Sequence, residues 1–194
     1  TITGRLANSA YFFLSGLYDD VCTYMSAMKD FFYTDDRFNL NYGQALVMTG
    51  RYELAIQVLS LVENLHTPQY YQFFVRAYVM SYKPQEAWDL LLRSTIENDN
   101  INLLKIIAHD SYVSKQFASM ARAYVSLEKM DPSPEHWIGM RAAVAGQFIL
   151  LVKGECTGKE MSEVLQYLPN INHSEIPRIT SAITKWANDH DIKL

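Results

Sequence analysis

Apolar side chains return every three or four residues along most of the chain. Tyr42 and Leu46, then Ala55 and Leu59, keep that interval, as do Tyr71, Phe74, Val75 and Tyr78, and Ile176, Ile179, Ile183 and Trp186. A period near 3.6 gathers such residues on one side of an α-helix, where they bury together. The strict alternation of a half-buried strand is nowhere convincing. The runs are also punctuated as helices are. Gly50 follows one run in the place of a C-terminal glycine. Lys83-Pro84 and Ser133-Pro134 put proline at a first helical position, with Ser133 as N-cap. Thr157 to Glu160 (TGKE) reads as a capping box. The pattern predicts an all-α chain of about eleven helices, with a long helix over about 134–152 and a last one over about 174–188.

The helices come in pairs. "GLYDDV" begins at Gly16 and "GRYELA" at Gly50, the same phrase 34 residues apart. That period matches the tetratricopeptide repeat, a helix–turn–helix unit of 34 residues with the pattern W-x2-L-G-x2-Y, then A-x3-F, then P. In a unit over about 36–69, Asn39, Tyr42, Gly43 and Leu46 fill the first-helix slots, Ala55 and Leu59 the second-helix slots, and Pro68 falls one place late. A weaker unit precedes it, with Arg5, Asn8, Ser9 and Phe12, then Val21 and Met25. A third keeps Tyr71, Phe74, Val75 and Tyr78, then Ala87 and Leu91. A fourth reads Leu104, Ile107, Ala108 and Ser111, then Met120, Tyr124 and Pro132. "KQFASMA" at Lys115 echoes "GRYELAI". The residues expected to pack the repeats are Gly16, Tyr42, Gly43, Gly50, Tyr52, Ala55, Phe74, Tyr78, Ala87, Ala108 and Tyr124. Gly43 and Ala55 are placed where the two helices of one unit cross, because larger side chains would push the axes beyond about 8–10 Å. About four repeats are expected over 1–132, and capping helices over 133–194, continuous with the array and sealing its end. The fold class expected is a tetratricopeptide-like α-solenoid with a C-terminal helical cap.

Composition narrows the function classes. The 194 residues are 49% hydrophobic and 20% charged, enough to bury a core, with a net charge of −4. Residues 1–97 hold 7 basic and 10 acidic side chains, net −3; residues 98–194 hold 10 and 11, net −1. Neither half has the basic excess that binding a phosphate backbone needs. Two cysteines, Cys22 and Cys156, make no disulfide framework and no zinc pair, which fits a reducing compartment. The longest apolar run, Ala142 to Val152, is too short to span a bilayer, and the start shows no signal peptide. Thr1 in place of an initiator Met suggests a piece of a longer protein.

Candidate chemistry does not survive spacing. "GECTGKE" at Gly154 has three residues between its glycines and Glu160 after Lys159, where a phosphate loop needs four and a Ser or Thr. His109, Asp110 and Ser111 are three triad residue types, but neighbours on a helix point about 100° apart and are not expected to form a relay. Glu155 beside Cys156 argues against an activated thiol. Asp19-Asp20 and Asp35-Asp36 each open a helix, where negative charge complements the dipole. The five histidines lack ligand spacing, so no metal and no cofactor are expected. "YYQFF" at Tyr70 reads as a packing stripe rather than a base-stacking platform.

Several stretches are more particular than the generic repeat: "GRLANSAYFFLSGLYDDVCTYM", "FFYTDDRFNLNYGQA", "KPQEAWDL", "LLKIIAHDSY" and above all "LEKMDPSPEHWIGMRAAVAGQF". From about Gly4 to Trp186 the chain resembles the C-terminal portion of the intraflagellar transport protein fifty-six family, also called dye-filling-defective thirteen, the tetratricopeptide subunit of the intraflagellar transport B complex. The resemblance implies a non-enzymatic scaffold or adaptor of the train that carries cargo along the axoneme. It implies protein partners among other B-complex subunits, with intraflagellar transport protein forty-six favoured, and ciliary motility cargo. It implies no nucleic acid and no membrane insertion, and a location in the cilium or flagellum, basal body and cytoplasm. The alternatives are a tetratricopeptide interaction module outside cilia, an RNA-binding helical repeat, which would need a basic groove, and a hydrolase, for which no residues converge.

A stacked array bends into a superhelix whose inner wall is made of first helices. Residues of that wall left out of the packing slots are Arg37, Leu40, Gln44, Val47 and Met48 in the second unit and Gln69, Gln72, Arg76, Val79 and Met80 in the third. They are expected to form a groove for an extended or helical segment of a partner, since apolar side chains mixed with Arg and Gln suit interfaces.

Overall fold

The computed structural model describes residues 1–94 and 100–194, and among them no strand occurs. They form two compact units, Thr1–Leu103 and Leu104–Leu194. The first holds α1 (Ile2–Leu14), α2 (Tyr18–Ser26), α3 (Asp36–Met48), α4 (Tyr52–Leu59), α5 (Pro68–Met80) and α6 (Pro84–Arg93). Then come α7 (Asn100–Val113), which crosses into the second unit, α8 (Phe117–Met130), α9 (Pro134–Val152), α10 (Gly158–Leu165) and α11 (Ile176–Asp189). Within the first unit each helix packs on the next, and α3 also lies directly against α5. The chain is all-α, built of tetratricopeptide-like helical hairpins.

One turn closes five hairpins. Gly16, Gly50, Tyr82, Lys115 and Gly154 all have φ between 58° and 74°, at intervals of 34, 32, 33 and 39 residues. The following N–H, from Leu17, Arg51, Lys83, Gln116 or Glu155, donates to the carbonyl of Phe12, Leu46, Tyr78, Ser111 or Leu150 at 2.8–2.9 Å. The left-handed residue's own N–H donates to Phe13, Val47, Val79, Tyr112 or Leu151 at 3.0–3.1 Å. This is the Schellman pairing, which satisfies the carbonyls a helix end leaves open. The repeated phrase of the sequence is this turn. Gly16 and Gly50 therefore serve conformation rather than packing: both are exposed, and a Cβ on either would meet nothing within 4 Å.

The turn also explains where side-chain caps are found. The first helices α1, α3, α5 and α9 start on Thr1, Asp35, Thr67 and Ser133, each accepting a backbone N–H. The second helices α2, α4, α6 and α8 have no side-chain cap and leave straight from the turn. The exception is α10, which begins two residues further on and carries the full capping box of Thr157 and Glu160.

Close crossings depend on glycine. A Cβ on Gly43 would sit 2.5 Å from Cγ and Cδ2 of Leu59, which is fully buried. The partner of Gly43 is thus Leu59, one turn beyond the Ala55 that spacing assigns, although Ala55 is itself fully buried. In the second unit, Gly139 and Gly146 of α9 receive the rings of Tyr124 and Phe117 of α8. Along α9, Trp137, Met140, Val144 and Leu151 join Met120, Met161 and Val164 in one core. Ile183 of α11 reaches that core, with Trp186 edge-on to Phe148 at 5.1 Å and stacked on His190 at 4.1 Å. Of the other expected packing residues, Tyr42, Phe74, Ala87 and Ala108 are buried, and Tyr52, Tyr78 and Tyr124 are half-buried.

Acidic helix starts have more specific work than the dipole. Asp36 accepts the N–H groups of Glu63 and Asn64 at 3.0 and 2.8 Å, tying the loop after α4 to the start of α3. The Glu63 bond and then the Asn64 bond hold its carboxyl below the usual carboxylate range. A depressed carboxyl stabilises the fold at neutral pH and loses that contribution as pH falls through its folded value. On acidification the amide-proton shifts of Glu63 and Asn64 should therefore move together, with a midpoint below that of an ordinary Asp. Asp36→Ala should abolish the titration at both amides, and survival of it would refute the clip.

Candidate functional site

The groove expected on the first helices is only partly open. Arg37, Met48 and Gln69 are exposed, and Gln44, Gln72, Arg76 and Met80 are half-buried. Leu40, Val47 and Val79 are not lining at all: they are 8%, 3% and 0% exposed. α3 lies directly against α5, and these three residues belong to the interior.

The same face of α1 is looser. Counting back from the left-handed residue, Leu6 and Phe13 occupy the places that Leu40 and Val47 occupy in α3. They are only half-buried, because α1 and α3 hardly touch one another. Beside them lies a cleft of about 430 Å³, lined by Leu6, Ala10 and Phe13 of α1, Val21 and Met25 of α2 and Phe38 of α3, with Asp35, Arg37 and Asn41 also along it. Leu14, at its end, is 88% exposed. Two places before the left-handed residue of each of the five hairpin turns stands an apolar side chain: Leu14, Met48 and Met80 in the first unit, Val113 and Val152 in the second. All but Met80 are exposed. Single exposed apolar residues are ordinary; recurrence at one repeat position is what marks these.

Charge on this face is one-sided. The five inner positions of α1 (Thr3, Leu6, Ala10, Phe13, Leu14), with the ten expected groove residues of α3 and α5, hold Arg37 and Arg76 and no acidic residue. The nine acidic residues of 1–94 lie at other positions, Asp35 among them beside the cleft. Two of them bind the second helices together. Arg51 donates to Asp19 at 2.8 Å and Lys83 to Glu53 at 2.7 Å, each joining the residue after a left-handed turn to the second residue of the preceding second helix. These pairs are exposed, so they set register between hairpins rather than adding much stability. The signal was in the sequence, in Gly-Arg-Tyr-Glu after Gly-Leu-Tyr-Asp.

The chemistry-bearing residues sort differently. His109 Nδ1 does lie 2.9 Å from Asp110 Oδ1, so neighbours on a helix pair here, contrary to the expectation from the 100° rotation. Side chains that are long enough swing back around the helix. Ser111, however, is fully buried, which denies it a substrate. His136 Nδ1 is 3.2 Å from Glu128, which also accepts the Ser133 N–H, so this pair holds the start of α9. Burial pushes the Cys156 thiol up, and Glu160 and Glu155 push it the same way; burial also raises Cys22. Neither thiol is poised as a thiolate. Tyr70, Tyr71 and Phe74 are buried in a run of ring contacts, and burial pushes the Tyr70 hydroxyl up to about 12. Among the described residues no group of three or more His, Cys, Asp or Glu could hold a metal ion, and no helix is long and apolar enough to cross a membrane.

A family model described as intraflagellar transport protein 56 matches residues 1–194. A curated Caenorhabditis elegans protein, described as an intraflagellar transport protein 56 homolog, is 33% identical over 199 residues, covering 100% of this chain and 35% of that protein. The chain thus spans only 35% of the length of that relative.

Proposed function

The chain belongs to the intraflagellar transport protein 56 family, and from that premise we propose that it is a non-enzymatic scaffold segment of the intraflagellar transport B complex. It binds a partner subunit, with intraflagellar transport protein 46 favoured, and helps carry motility cargo in the cilium, with basal-body and cytoplasmic pools. The observation that carries this reading is the face of α1, α3 and α5. It combines exposed apolar residues at repeat positions with Arg37, Arg76 and the amides of Gln44, Gln69 and Gln72, a composition suited to holding a protein segment. The outer side of α11 is polar, as an array-capping helix needs, with Thr180, Ser181, Thr184, Lys185 and Asn188 along it;. The buried Ser111 and the raised thiols favour a scaffold over a hydrolase. The test is co-elution. The chain is mixed with candidate B-complex subunits and resolved by size exclusion. A double Gln44→Glu, Arg76→Glu variant that keeps its helical circular dichroism should lose at least about tenfold in affinity. Unchanged binding by that folded variant would remove the groove.

A further inference from the structure

We infer that α9 pairs with α9 of a second copy of this chain, antiparallel, about a two-fold axis at Ala145. Between Pro134 and Val152 the helix carries only Glu135 and Arg141 of the charged types, so it is apolar almost all round. A helix of that kind is normally covered on every side. The second unit covers only part of it. Trp137, Met140, Val144 and Leu151 enter the core, while Ile138, Ile149 and Val152 are 56%, 52% and 52% exposed. Between Ile138 and Ile149 stand half-buried Ala142 and exposed Ala145. Intervals of four, three, four and three residues put these five on one line along the helix, the spacing of a helix–helix seam.

The line is its own complement. Ala145 is seven residues from both Ile138 and Val152. Turned end for end about Ala145, a second α9 sets Val152 against Ile138, Ala145 against Ala145, and Ile149 within one residue of Ala142. Branched side chains stand at the ends and small ones near the centre, where they let two axes approach to about 8–10 Å. The charges select the same arrangement. Glu135 is ten residues before Ala145 and Lys153 eight after it. At about 100° and about 1.5 Å per residue, both fall on one flank of the line, about 80° round from Ala145 and about 15 and 12 Å along from it. A two-fold pair keeps that flank together, so each Glu135 meets Lys153 of the other copy, twice per dimer. Among the described residues neither has an ion partner within its own chain. Arg141, on the other flank, is already paired with Glu175 at 3.5 Å. Lys105 and His109 of α7 border the same cleft as Glu135 without pairing with it, His109 being held by Asp110 at 2.9 Å. A uniformly acidic or basic segment satisfies one end of the line and is repelled at the other; a second copy satisfies both. One helix pair covers less than the about 1,600 Å² of a standard interface, so the dimer is weak, with a dissociation constant on the order of 100 μM.

The chain is followed by sedimentation equilibrium from about 10 to about 500 μM, a range that brackets that constant, with its amide shifts recorded alongside. The mass should rise towards twice that of one chain, and the shifts that move with concentration should centre on Ile138, Ala145 and Ile149. Ala145→Glu, an exposed change to a good helix former, should keep its helical circular dichroism and hold the chain monomeric. Glu135→Lys and Lys153→Glu should each weaken association at least about fivefold, because each sets like charges together. Mixed in equal amounts, those two variants should recover it, since every charge contact between unlike copies is then Lys with Glu. A mass that stays at one chain throughout, shifts centred on another face, an Ala145→Glu variant that still dimerises, or no recovery on mixing overturns the inference. So does a chain that stays monomeric while its Ala145→Glu variant loses a co-eluting B-complex subunit, which would give the line to a different partner.

Discussion

Replacing Leu59 with alanine should lower the unfolding free energy by about 2–5 kcal/mol. Replacing Gly43 with alanine should also destabilise, and the two together should cost less than their sum. Leu59 is fully buried on α4 and its branched end lies over Gly43 of α3. Truncation removes the transfer free energy of the lost methyl groups and leaves a void beneath a helix crossing that has little room to collapse. The reverse change forces a Cβ to within 2.5 Å of Cγ and Cδ2 of Leu59. Overpacking of that kind costs about 1–3 kcal/mol, against about 1 kcal/mol recovered when a helical glycine becomes alanine. In the double variant the new methyl enters the space that Leu59 has vacated. A coupling of about 0.5–3 kcal/mol, the size seen for residues in contact, should appear in a double-mutant cycle of urea unfolding midpoints. Strict additivity would show that the crossing is not where the two side chains compete.

Helices, starts and stops were legible because they are local. Ser133 and the Thr157–Glu160 box occupy in space the roles their neighbours in sequence assign them. α9 spans Pro134–Val152, the range predicted from its Ser133-Pro134 start and the apolar residues that follow. The family resemblance was legible in the stretch from Leu127 to Phe148, which departs from the generic repeat. The turn was read from glycine and then hidden where glycine was replaced. Tyr82 and Lys115 adopt the same left-handed conformation at φ 58° and 59°, and a residue with a Cβ gives no warning of that. Partners distant along the chain were illegible for a different reason. Nothing near Asp36 announces the amides of Glu63 and Asn64. The burial of Leu40, Val47 and Val79 depends on packing between helices distant along the chain, which residue spacing does not encode. For the same reason a sequence pattern placed Arg37 and Arg76 on the first-helix face but gave no sign of the opening between α1 and α3.

The heaviest dependence on glycine is in the second unit, and it was missed. Gly139 and Gly146 are seven residues apart on α9; Tyr124 and Phe117 are seven apart on α8, and they meet in antiparallel order. Two rings thus enter two notches in successive pairs of helical turns. The signal available was a pair of glycines at heptad spacing inside an otherwise apolar helix, facing aromatics at the same spacing. A Cβ at Gly139 would fall 2.1–2.4 Å from the Tyr124 ring, and one at Gly146 2.4–2.9 Å from the Phe117 ring. A ring moves as a plate, so it clears such an atom only by leaving its place. Phe117 is 6% exposed and has little room to do so. Gly139→Val with Gly146→Val should therefore destabilise by about 2–6 kcal/mol, two overpacking costs of about 1–3 kcal/mol each. The sites are far enough apart along α9 to add. Against a stability of about 5–15 kcal/mol, usual for folded domains, that change should expose the amides of α8 and α9 to hydrogen exchange together. Shrinking the ring tests the cause. Tyr124→Leu in the Gly139→Val background should recover much of the loss, whereas the same change at Phe117 should leave the Gly139→Val cost as it was. Rescue at neither or at both would mean that the notches are not what holds the two helices at this distance.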